Sequence, residues 1–372
     1  MYASYVPNLR FPEFQGEWEE SSIGEMFDLY SGNTPSRLNK EHFKGTINWI
    51  SSGELKEHYI YSSKEQISEE AAKSLKLLPV GTFVIAIYGL EAEGVRGTGS
   101  IIQEPSTISQ ACMSFIPKGV IENEFLYSWY KKHGNVIGIR YAQGTKQQNL
   151  SYDILEKFRI AYPNSKEQEK LNNFISLLDE RIATQNKIID KLQSLIKGIA
   201  QKIVRSNKPN VRLTECMECK SSTLQESEVC EQGTYPVYGA NGIVGYLDNY
   251  NTEGEAIYII KDGSGVGTVS YVTGKCSATG TLNTLQAKEG YSLQYLYYLL
   301  KVFTFEPYKT GMAIPHIYFK DYGKAKVFCP SYTEQLQYAR LLSAIEGKLS
   351  IEKNILTSLS LQKQYLLRQM FI

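Results

Sequence analysis

The sequence feature that most constrains the fold is an apolar repeat between residues 166 and 204. Starting at Leu171, ten positions follow one another in alternating steps of four and three, and nine of the ten are apolar. These positions are Leu171, Ile175, Leu178, Ile182, Gln185, Ile189, Leu192, Ile196, Ile199 and Ile203. A strict period of about 3.5 residues is typical of a helix that packs along a narrow seam on another helix. The repeat therefore predicts one long helix with a partner.

The same repeat returns at the end of the chain. Adding 167 to each number gives a second seam, which has polar breaks at Glu352 and Lys363. Its positions are Tyr338, Leu342, Ile345, Leu349, Glu352, Leu356, Leu359, Lys363, Leu366 and Met370. We expect the two helices to pair as an antiparallel coiled coil with pseudo-two-fold symmetry, although each could instead pack only on its own domain. Gln185 and Glu352 are equivalent seam positions, where a polar residue commonly fixes register.

The duplication extends to the segments that precede the helices. Two predicted strands, 83–87 and 256–260, each run into a glycine-rich loop, and each repeat has an aromatic helix, predicted over 122–133 and 293–303. A further helix is predicted over 68–78. Two copies at a period near 167 indicate a duplicated domain of mixed α/β (α+β) class. The predicted division is 1–164 for the first domain, 165–205 for the first helix, 206–331 for the second domain and 332–372 for the second helix.

Composition narrows the class of protein. The chain of 372 residues has a net charge of +1, so no basic field covers the whole molecule. Its first residues do not form a basic segment followed by an apolar core, and no apolar run reaches the ~18 residues of a membrane span. We therefore expect a cytoplasmic protein without membrane contact. Cys216 and Cys219 form an isolated CxxC pair among six cysteines, which favours reduced structural thiols over a zinc site.

The sequence gives no positive sign of catalysis. It contains neither a P-loop nor the catalytic motif of an amino-methyltransferase, and its four histidines have no metal-ligand spacing. The glycines of residues 262–267 lack the context of a dinucleotide site and suit contact with a backbone phosphate better. Glu54 and Lys56 could end a nuclease signature, but the upstream acidic partner is missing, so a solvated loop is favoured. We predict no catalytic residue, no metal ligand and no cofactor bound by this chain.

Local charge points to nucleic acid instead. Residues 125–152 contain no acid but include Lys131, Lys132, Arg140 and Lys146. The segment 143–149 adds amide side chains, which can pair with adenine edges in the major groove, while basic side chains neutralise phosphates. A solvated, turn-forming loop would have a similar composition. On this signal alone, contact with DNA and a simple surface loop are equally supported.

The full length of the chain resembles the specificity subunit of type I restriction–modification enzymes. The features that carry the resemblance are the lead-in at residues 9–18, Gly144 with Thr145, and Gly311 with Met312. The segment 163–168, which enters the first helix, and the segment 235–242 also look like the family. Each string is short, but their order is specific and is duplicated along the chain.

The resemblance implies a function and a set of partners. Two target-recognition domains would each read one half of a split double-stranded DNA target, and the two spacer helices would fix the distance between the half-sites. The subunit would be non-catalytic and would dock two methyltransferase subunits and, with them, restriction (motor) subunits. S-adenosylmethionine, ATP and Mg²⁺ would belong to those partners. Near-neutral charge fits this scheme, since the partners would share the phosphate contacts.

Candidate DNA-binding residues follow from the polar, glycine-supported loops and the basic stretch, because recognition domains vary too much for a motif to identify them. They are Arg96, Thr98, Lys131, Lys132, Arg140, Lys146, Gln147, Gln148, Asn149, Tyr238, Asn241, Lys261, Ser264 and His316. Two alternatives remain open at this point. One is a metal-dependent nuclease centred on Glu54 and Lys56, and the other is a coiled-coil scaffold that does not bind DNA.

Alanine at Gln147 and Gln148 should weaken recognition of one half-site by about 1–3 kcal/mol for each bidentate amide–base pair that is lost. Binding to target and scrambled duplexes, measured with the partner subunits present, checks this expectation. Unchanged affinity and unchanged specificity would remove both residues from the set of base-contacting side chains.

Overall fold

The computed structural model describes residues 5–92, 94–144, 147–311 and 313–372. The chain divides into two compact units. Unit 1 comprises Met1–Thr184 and Leu356–Ile372, and unit 2 comprises Gln185–Ile355. These boundaries fall inside the two long helices, so each unit contains part of both. The division at residues 164, 205 and 331 remains a prediction from sequence pattern.

Unit 1 contains short strands, short helices and the start of the first long helix. The strands are β1 (Glu19–Ser22), β2 (Phe27–Ser31), β3 (Ile47–Ile50), β4 (Tyr59–Ile60), β5 (Glu65–Ile67), β6 (Phe83–Ala86), β7 (Gly99–Ile102), β8 (Ser106–Ile108), β9 (Cys112–Pro117) and β10 (Arg159–Tyr162). The helices are α1 (Ile23–Met26), α2 (Glu69–Ala72), α3 (Asn123–Tyr141), α4 (Tyr152–Leu155) and α5 (Ser165–Arg205), with 3-10 turns at Lys40–Phe43 and Ser52–Glu54.

Unit 2 repeats this order of elements. The strands are β11 (Val211–Arg212), β12 (Met217–Ser221), β13 (Tyr235–Gly239), β14 (Gly242–Leu247), β15 (Ala256–Ile260), β16 (Val269–Val272), β17 (Ser277–Ala278), β18 (Leu282–Ala287) and β19 (Lys326–Val327). The helices are α6 (Leu213–Cys216), α7 (Leu293–Val302), α8 (Phe319–Tyr322) and α9 (Tyr332–Met370), with 3-10 turns at Glu226–Glu228 and Glu306–Tyr308. Within the described ranges, no helix is both long and apolar enough to cross a membrane.

The sheet topology of the two units confirms the predicted tandem repeat. The main sheet has the strand order β2-β9-β6-β7-β4 in unit 1 and β12-β18-β15-β16 in unit 2, so β4 is an addition to the first copy. Each unit also has a three-stranded sheet, β5-β3-β8 or β14-β13-β17, whose central strand pairs antiparallel on one side and parallel on the other. A two-stranded pair, β1-β10 or β11-β19, completes each copy.

Both predicted long helices are present. Helix α5 covers Ser165–Arg205 and α9 covers Tyr332–Met370. The side chain of Asn164 accepts the Glu167 N–H (3.1 Å), and that of Ser331 accepts the Glu334 N–H (3.4 Å). These are N-caps, which satisfy backbone donors that the first helical turn leaves free. The two capping residues lie 167 positions apart, as the duplication requires.

In unit 1 the two long helices run antiparallel. Leu171 of α5 is buried in the same core as Met370 of α9. Further along, Asp179 of α5 accepts a charged hydrogen bond from Lys363 of α9. Residue numbers therefore rise along one helix while they fall along the other. The polar break that Lys363 makes in the second seam has a partner, which explains how a lysine is tolerated there.

In unit 2 the helices meet at the two equivalent polar positions. The side-chain amide of Gln185, only 8% exposed, donates to the backbone carbonyl of Glu352 (3.0 Å) and to its carboxylate (2.5 Å). Contact between two positions related by the repeat is the local sign of a two-fold relation between the helices. The predicted role of this pair in helix register is thus supported by a direct, nearly buried contact.

The helix predicted over residues 68–78 is much shorter than expected. Helix α2 ends at Ala72, and Leu78 instead forms a β-bridge with Ser106, with N–H···O distances of 2.8 and 3.2 Å. Tertiary pairing with the neighbouring strand overrides the local helical tendency. The residues between Ala72 and Leu78 form the turn that makes this pairing possible.

Helix α3 is longer than its prediction over 122–133, because it continues through two glycines to Tyr141. A Cβ on Gly134 would lie 2.9 Å from Gly97 Cα, and one on Gly138 would lie 3.2 Å from Arg96 Cγ. The glycines cost helix propensity but allow the loop around residue 97 to approach the helix closely. A glycine that looks like a helix terminator in the sequence is here a packing requirement.

A buried glutamine joins each unit to its long helix. In unit 1, Gln168 is fully buried; its oxygen accepts the Glu122 N–H (3.0 Å), and its amide donates to the carbonyls of Val120 (3.2 Å) and Pro163 (2.8 Å). In unit 2, Gln335 accepts the Ser292 N–H (2.9 Å) and donates to the Pro330 carbonyl (2.9 Å). The same side chain thus ties the start of the aromatic helix to the start of the long helix in both copies.

Replacing Gln168 by alanine should lower the free energy of unfolding of unit 1 by about 1–3 kcal/mol, because backbone groups closed off from water lose their partners. All three tryptophans, Trp18, Trp49 and Trp129, lie in unit 1, so tryptophan fluorescence during denaturant unfolding reports this unit. Gln193 is exposed on α5, and its replacement by alanine is the matched control. Equal stability of the two variants would contradict the anchoring role.

Candidate nucleic-acid interface

In unit 1, several loops meet at one edge of the main sheet, here named edge 1. Strand β9 runs antiparallel to both β2 and β6, so the ends of β2 and β6 lie beside the start of β9. The connections at this edge are residues 32–46, 87–98 and 109–111. Residues 143–149 join them, since the Leu150 N–H donates to the Ile87 carbonyl (2.9 Å) and Asn149 is bridged to Tyr88.

The described residues 143–144 and 147–149, here named tip loop 1, lie at edge 1. The backbone groups of Gln143 and Asn149 exchange two hydrogen bonds of 2.8 Å, which close its base. Gly144 has a φ of +118°, and a Cβ there would lie 2.1 Å from the Gln147 carbonyl oxygen. The Gln148 carbonyl accepts the Leu90 N–H (3.0 Å), which fixes the loop to the glycine-rich segment. The base of the loop is therefore rigidly held.

Unit 2 has the equivalent edge, here named edge 2. Strand β18 runs antiparallel to both β12 and β15, so their ends lie beside its start. The described residues 310–311 and 313–316, named tip loop 2, are joined at their ends by two hydrogen bonds between Thr310 and His316, of 2.9 and 2.7 Å. The offset from tip loop 1 is again 167. The Ile317 N–H donates to the Lys261 carbonyl (2.9 Å), which fixes the loop to the end of β15.

Most of the predicted DNA-binding residues lie at these two edges. Edge 1 holds Arg96, Thr98, Gln147, Gln148 and Asn149, and edge 2 holds Lys261, Ser264 and His316. Tyr238 and Asn241 lie in the β13–β14 hairpin, which adjoins edge 2 because the Thr279 N–H donates to the Tyr238 carbonyl (2.9 Å). Lys146 lies outside the described residues. That these side chains contact DNA remains a prediction.

The side chains at edge 1 differ in how free they are. The guanidinium of Arg96 donates to the carbonyls of Leu90 and Glu91, and the Thr98 hydroxyl donates to the Val95 carbonyl (2.7 Å). Both therefore stabilise their own loop. Gln147 is exposed at the tip and borders a groove of about 540 Å³. The amide of Gln147 is thus better placed for an external partner than either Arg96 or Thr98.

At edge 2 the predicted His316 has a partner on the neighbouring loop. Its Nδ1 lies 2.6 Å from Asp262 Oδ1, and both side chains are about one-third exposed (35%). This contact, together with the Gly263 N–H that donates to the Pro315 carbonyl (2.9 Å), holds tip loop 2 against the glycine-rich segment. Ser264 and Asn241 are exposed, whereas the Tyr238 ring packs edge-on against Tyr258 at 5.7 Å.

The three basic residues predicted on α3 are not at edge 1. The ammonium group of Lys132 donates to the carbonyls of Phe371 (2.5 Å) and Arg368 (3.2 Å) and so caps the end of α9. Arg140 is exposed beside a separate groove of about 270 Å³. Lys131 points toward the long helices. Burial, with a smaller effect from the charge of Lys363, lowers the pKa of Lys131 to about 8.

Lys131 borders a partly buried ionic cluster centred on His58. The His58 ring is stacked between those of Tyr59 (4.0 Å) and Tyr127 (3.9 Å). Its Nε2 lies 2.9 Å from Glu124 Oε2 of α3, and its Nδ1 lies 3.4 Å from Asp179 Oδ2 of α5. Burial alone would lower the pKa of His58, but the two carboxylates outweigh burial and raise it. When protonated, the imidazole therefore links the residue before β4 to α3 and α5.

Sequence reasoning missed one feature of edge 1, the segment after β2. Arg37 pairs with Glu65 through two contacts of 2.8 Å, and its guanidinium lies over the rings of Phe43 (4.4 Å) and Trp49 (5.4 Å). Next to it, Leu38 is 97% exposed. A cluster of turn residues at 31–36 was visible in the sequence, but nothing there showed that this loop shares an edge with tip loop 1.

A second missed feature is a polar groove in unit 2. It has a volume of about 840 Å³ and is lined largely by hydroxyl and amide side chains. These include Ser221, Ser222, Thr223, Asn249, Asn251, Thr252, Ser277, Thr284 and Gln286. Such residues are too common in loops to stand out in a sequence, so only the folded chain shows that they line one groove.

The proposed nuclease residue Glu54 has a structural role in the fold. Its carboxylate accepts the backbone N–H groups of Ser51 (2.9 Å) and Lys64 (2.6 Å) and so stabilises two turns. In the ranges that the structure describes, no group of three or more His, Cys, Asp or Glu side chains is arranged to hold a metal ion. The geometry around Glu54 offers no support for the nuclease alternative.

The fold places the protein in a structural class: one α/β unit occurs twice in tandem, and each copy is followed by a long helix that pairs with the other. The profile of the family described as type I restriction modification DNA specificity domain matches residues 15–194 and again residues 206–361. The chain therefore belongs to that family and contains its characteristic domain twice.

Individual relatives agree with this assignment. The chain is 30% identical over 185 residues to the type I restriction enzyme MjaIX specificity subunit of Methanocaldococcus jannaschii, a match that covers 47% of this chain and 42% of that protein. It is 31% identical over 189 residues to the EcoR124I/EcoR124II specificity subunit of Escherichia coli, covering 50% and 45%. The matched stretches thus span less than half of either relative.

A solved structure shares the fold over the whole chain. The S subunit of a type I restriction-modification system from M. genitalium superposes with a TM-score of 0.66, covering 99% of both chains at 20% sequence identity. At that identity the similarity establishes the architecture, including the tandem units and the long helices.

The stability of unit 1 should depend on the charge of His58. Because its pKa is raised in the folded state, the stabilisation is complete below the unfolded value of ~6.5 and is lost as pH rises through the folded value. Tryptophan fluorescence in denaturant should therefore show unit 1 weakening as the pH rises above about 6.5 and through the raised pKa of His58. Above about pH 8, Lys131, whose pKa is lowered to about 8, contributes the opposite slope.

The variant His58→Gln should remove this slope and be less stable than the wild type at the acidic end of the range. His316→Gln, a change in unit 2, is the control and should leave the tryptophan signal unaltered. The same slope in His58→Gln and in the wild type would show that another group is responsible.

Proposed function

We propose that the chain is the DNA-specificity subunit of a type I restriction–modification complex and that each unit reads one half of a split double-stranded target. The observation that carries the proposal is the repeated tip loop. The same pair of closing hydrogen bonds, next to a glycine with positive φ, occurs at the same sheet edge in both units, while the exposed side chains differ. One scaffold that presents two sets of polar and apolar groups suits recognition of two different short sequences.

The physical form of the tip loops supports entry into a DNA groove. Each loop is closed at its base by a single β-bridge, and the B-DNA major groove, about 12 Å wide, is wide enough to admit a segment of that kind. The exposed amide of Gln147 can pair with an adenine edge, and the neighbouring glycine-rich loops offer backbone N–H groups near phosphates. Each half-site would then be read mainly through a loop whose base is fixed by the sheet.

The paired helices suit the remaining role, spacing and assembly. They are rigid elements anchored to each unit by Gln168 and Gln335, and they leave Leu177, Leu195 and Ile351 exposed by 64%, 47% and 60%. Exposed leucine and isoleucine side chains on a long helix are suitable docking points for two methyltransferase subunits. Restriction (motor) subunits would bind to the complex through the methyltransferase subunits, and the assembly would work in the cytoplasm.

Chemistry would reside in the partners. S-adenosylmethionine would be bound by the methyltransferase subunits, and ATP and Mg²⁺ by the methyltransferase-associated motor subunits. This chain would contribute no catalytic group. Its net charge of +1 supports such a division, because a lone DNA-binding chain would need more positive charge to neutralise phosphates than one whose partners share the contacts.

Adenine methylation in a host that lacks it tests the proposal. The chain is co-expressed with its cognate methyltransferase subunit, and N6-methyladenine is mapped by long-read sequencing. We expect one split motif with a fixed gap and one methylated adenine on each strand. Gln193→Ala should leave the motif and the extent of methylation unchanged, whereas Gln147→Ala with Gln148→Ala should reduce methylation or relax one half of the motif.

A soluble complex that methylates nothing would contradict the proposal and favour a scaffold that does not bind DNA. Metal-dependent cleavage of DNA by the purified chain, abolished by Lys56→Ala, would favour the nuclease instead. A motif in one continuous block would contradict the assignment of one half-site to each unit.

A further inference from the structure

We infer that Ile314 is a specificity-determining residue of unit 2 and that its side chain packs against the 5-methyl group of a thymine in the DNA half-site that this unit reads. The inference rests on the proposed function. It adds one named side chain, one chemical group on the DNA, and the half of the target in which that group lies.

Tip loop 2 holds Ile314 in a defined position. The loop is closed by the Thr310–His316 hydrogen bonds, and Gly311 has a φ of +89°, where a Cβ would lie 2.3 Å from the Ile314 carbonyl oxygen. The next residue, Pro315, accepts the Gly263 N–H through its carbonyl (2.9 Å). The backbone that follows Ile314 is therefore held at Pro315 and His316, although the Ile314 side chain itself is 58% exposed.

An exposed isoleucine alone needs no explanation, since single apolar side chains are common on protein surfaces. What distinguishes Ile314 is its place in the repeat. The equivalent position of tip loop 1, 167 residues earlier, is Gln147, which is also exposed. The closing hydrogen bonds are thus the same in both units, and the exposed group changes from an amide to an aliphatic side chain.

The chemistry of base edges gives this difference a meaning. An amide can exchange two hydrogen bonds with adenine, but an isoleucine can neither donate nor accept one. In the major groove, the thymine methyl is the apolar group that distinguishes one base pair from the others by contact with an aliphatic side chain. An exposed aliphatic side chain on tip loop 2 is therefore complementary to the methyl group of thymine.

Deoxyuridine provides the decisive probe, because it differs from thymidine only by the missing methyl group. Once methylation mapping has given the target, each thymine of both half-sites is replaced in turn by deoxyuridine. Affinity of the complex with the methyltransferase is then measured for each duplex. For the wild type, one replacement should weaken binding by about three- to fivefold, the effect of losing one buried methyl group.

Ile314→Ala should show the same weakening on the unmodified target and no further loss with that deoxyuridine duplex. Ile314→Val, which keeps a branched aliphatic surface, should retain most of the methyl dependence. Gln147→Ala is the matched control from the other unit; it should lose affinity yet keep the full deoxyuridine penalty. The sensitive thymine also identifies the half-site that unit 2 reads.

Two results would overturn the inference while leaving the proposed function intact. One is a specific target at which no single deoxyuridine weakens wild-type binding, and the other is an Ile314→Ala variant as sensitive as the wild type. Loss of complex formation with the methyltransferase in Ile314→Ala, seen by size-exclusion chromatography, would assign the side chain to a protein interface instead. Absence of any specific DNA binding by the wild-type complex would be a failure of the proposed function.

Discussion

The structure depends on a buried glutamine at the start of each long helix. Gln168 and Gln335 each connect the beginning of an aromatic helix to the beginning of a long helix through hydrogen bonds that water cannot replace. In each unit this contact fixes the direction of the long helix relative to the sheet and the aromatic helix. A second pair of equivalent residues, Asp179 and Glu346, also lies 167 positions apart. Each of these carboxylates again joins its long helix to aromatic or charged side chains of the same unit.

Much of this fold could be predicted from the sequence because its strongest signals are periodic. The heptad seams located both long helices, and the constant offset of 167 located the repeat and identified Gln185 and Glu352 as equivalent polar positions. Their contact with each other is seen only in the structure. Short elements were harder, since tertiary pairing decides them: Leu78 bonds to Ser106 instead of continuing a helix, and α3 passes through Gly134 because a loop packs there. Neither the strand pairing of Leu78 nor the continuation of α3 through Gly134 can be read from local helix propensity.

The positions of the loops at the candidate interface could be predicted from the sequence, but which of their side chains are exposed could not. The glycines that mark tip loops 1 and 2 are visible because their conformations demand glycine, as at Gly144 and Gly311. Whether a side chain is available to an external partner depends on the hydrogen bonds it makes in the folded chain. Arg96 and Lys132 both donate to backbone carbonyl groups of the chain itself. Burial and internal partners, which sequence composition does not record, separate such residues from exposed ones such as Gln147.

The contact between Gln185 and Glu352 has a consequence for which segments can pair. Positions related by the repeat face each other there, so a helix meeting another copy of itself would place identical residues at this contact. Two copies of the α9 segment would oppose two carboxylates in a partly buried seam, at an electrostatic cost, whereas glutamine opposite glutamate makes a hydrogen bond. The difference between Gln185 and Glu352 therefore favours pairing of α5 with α9 over pairing of α9 with a second copy of itself. It gives the duplicated chain a chemical means of distinguishing its two helices.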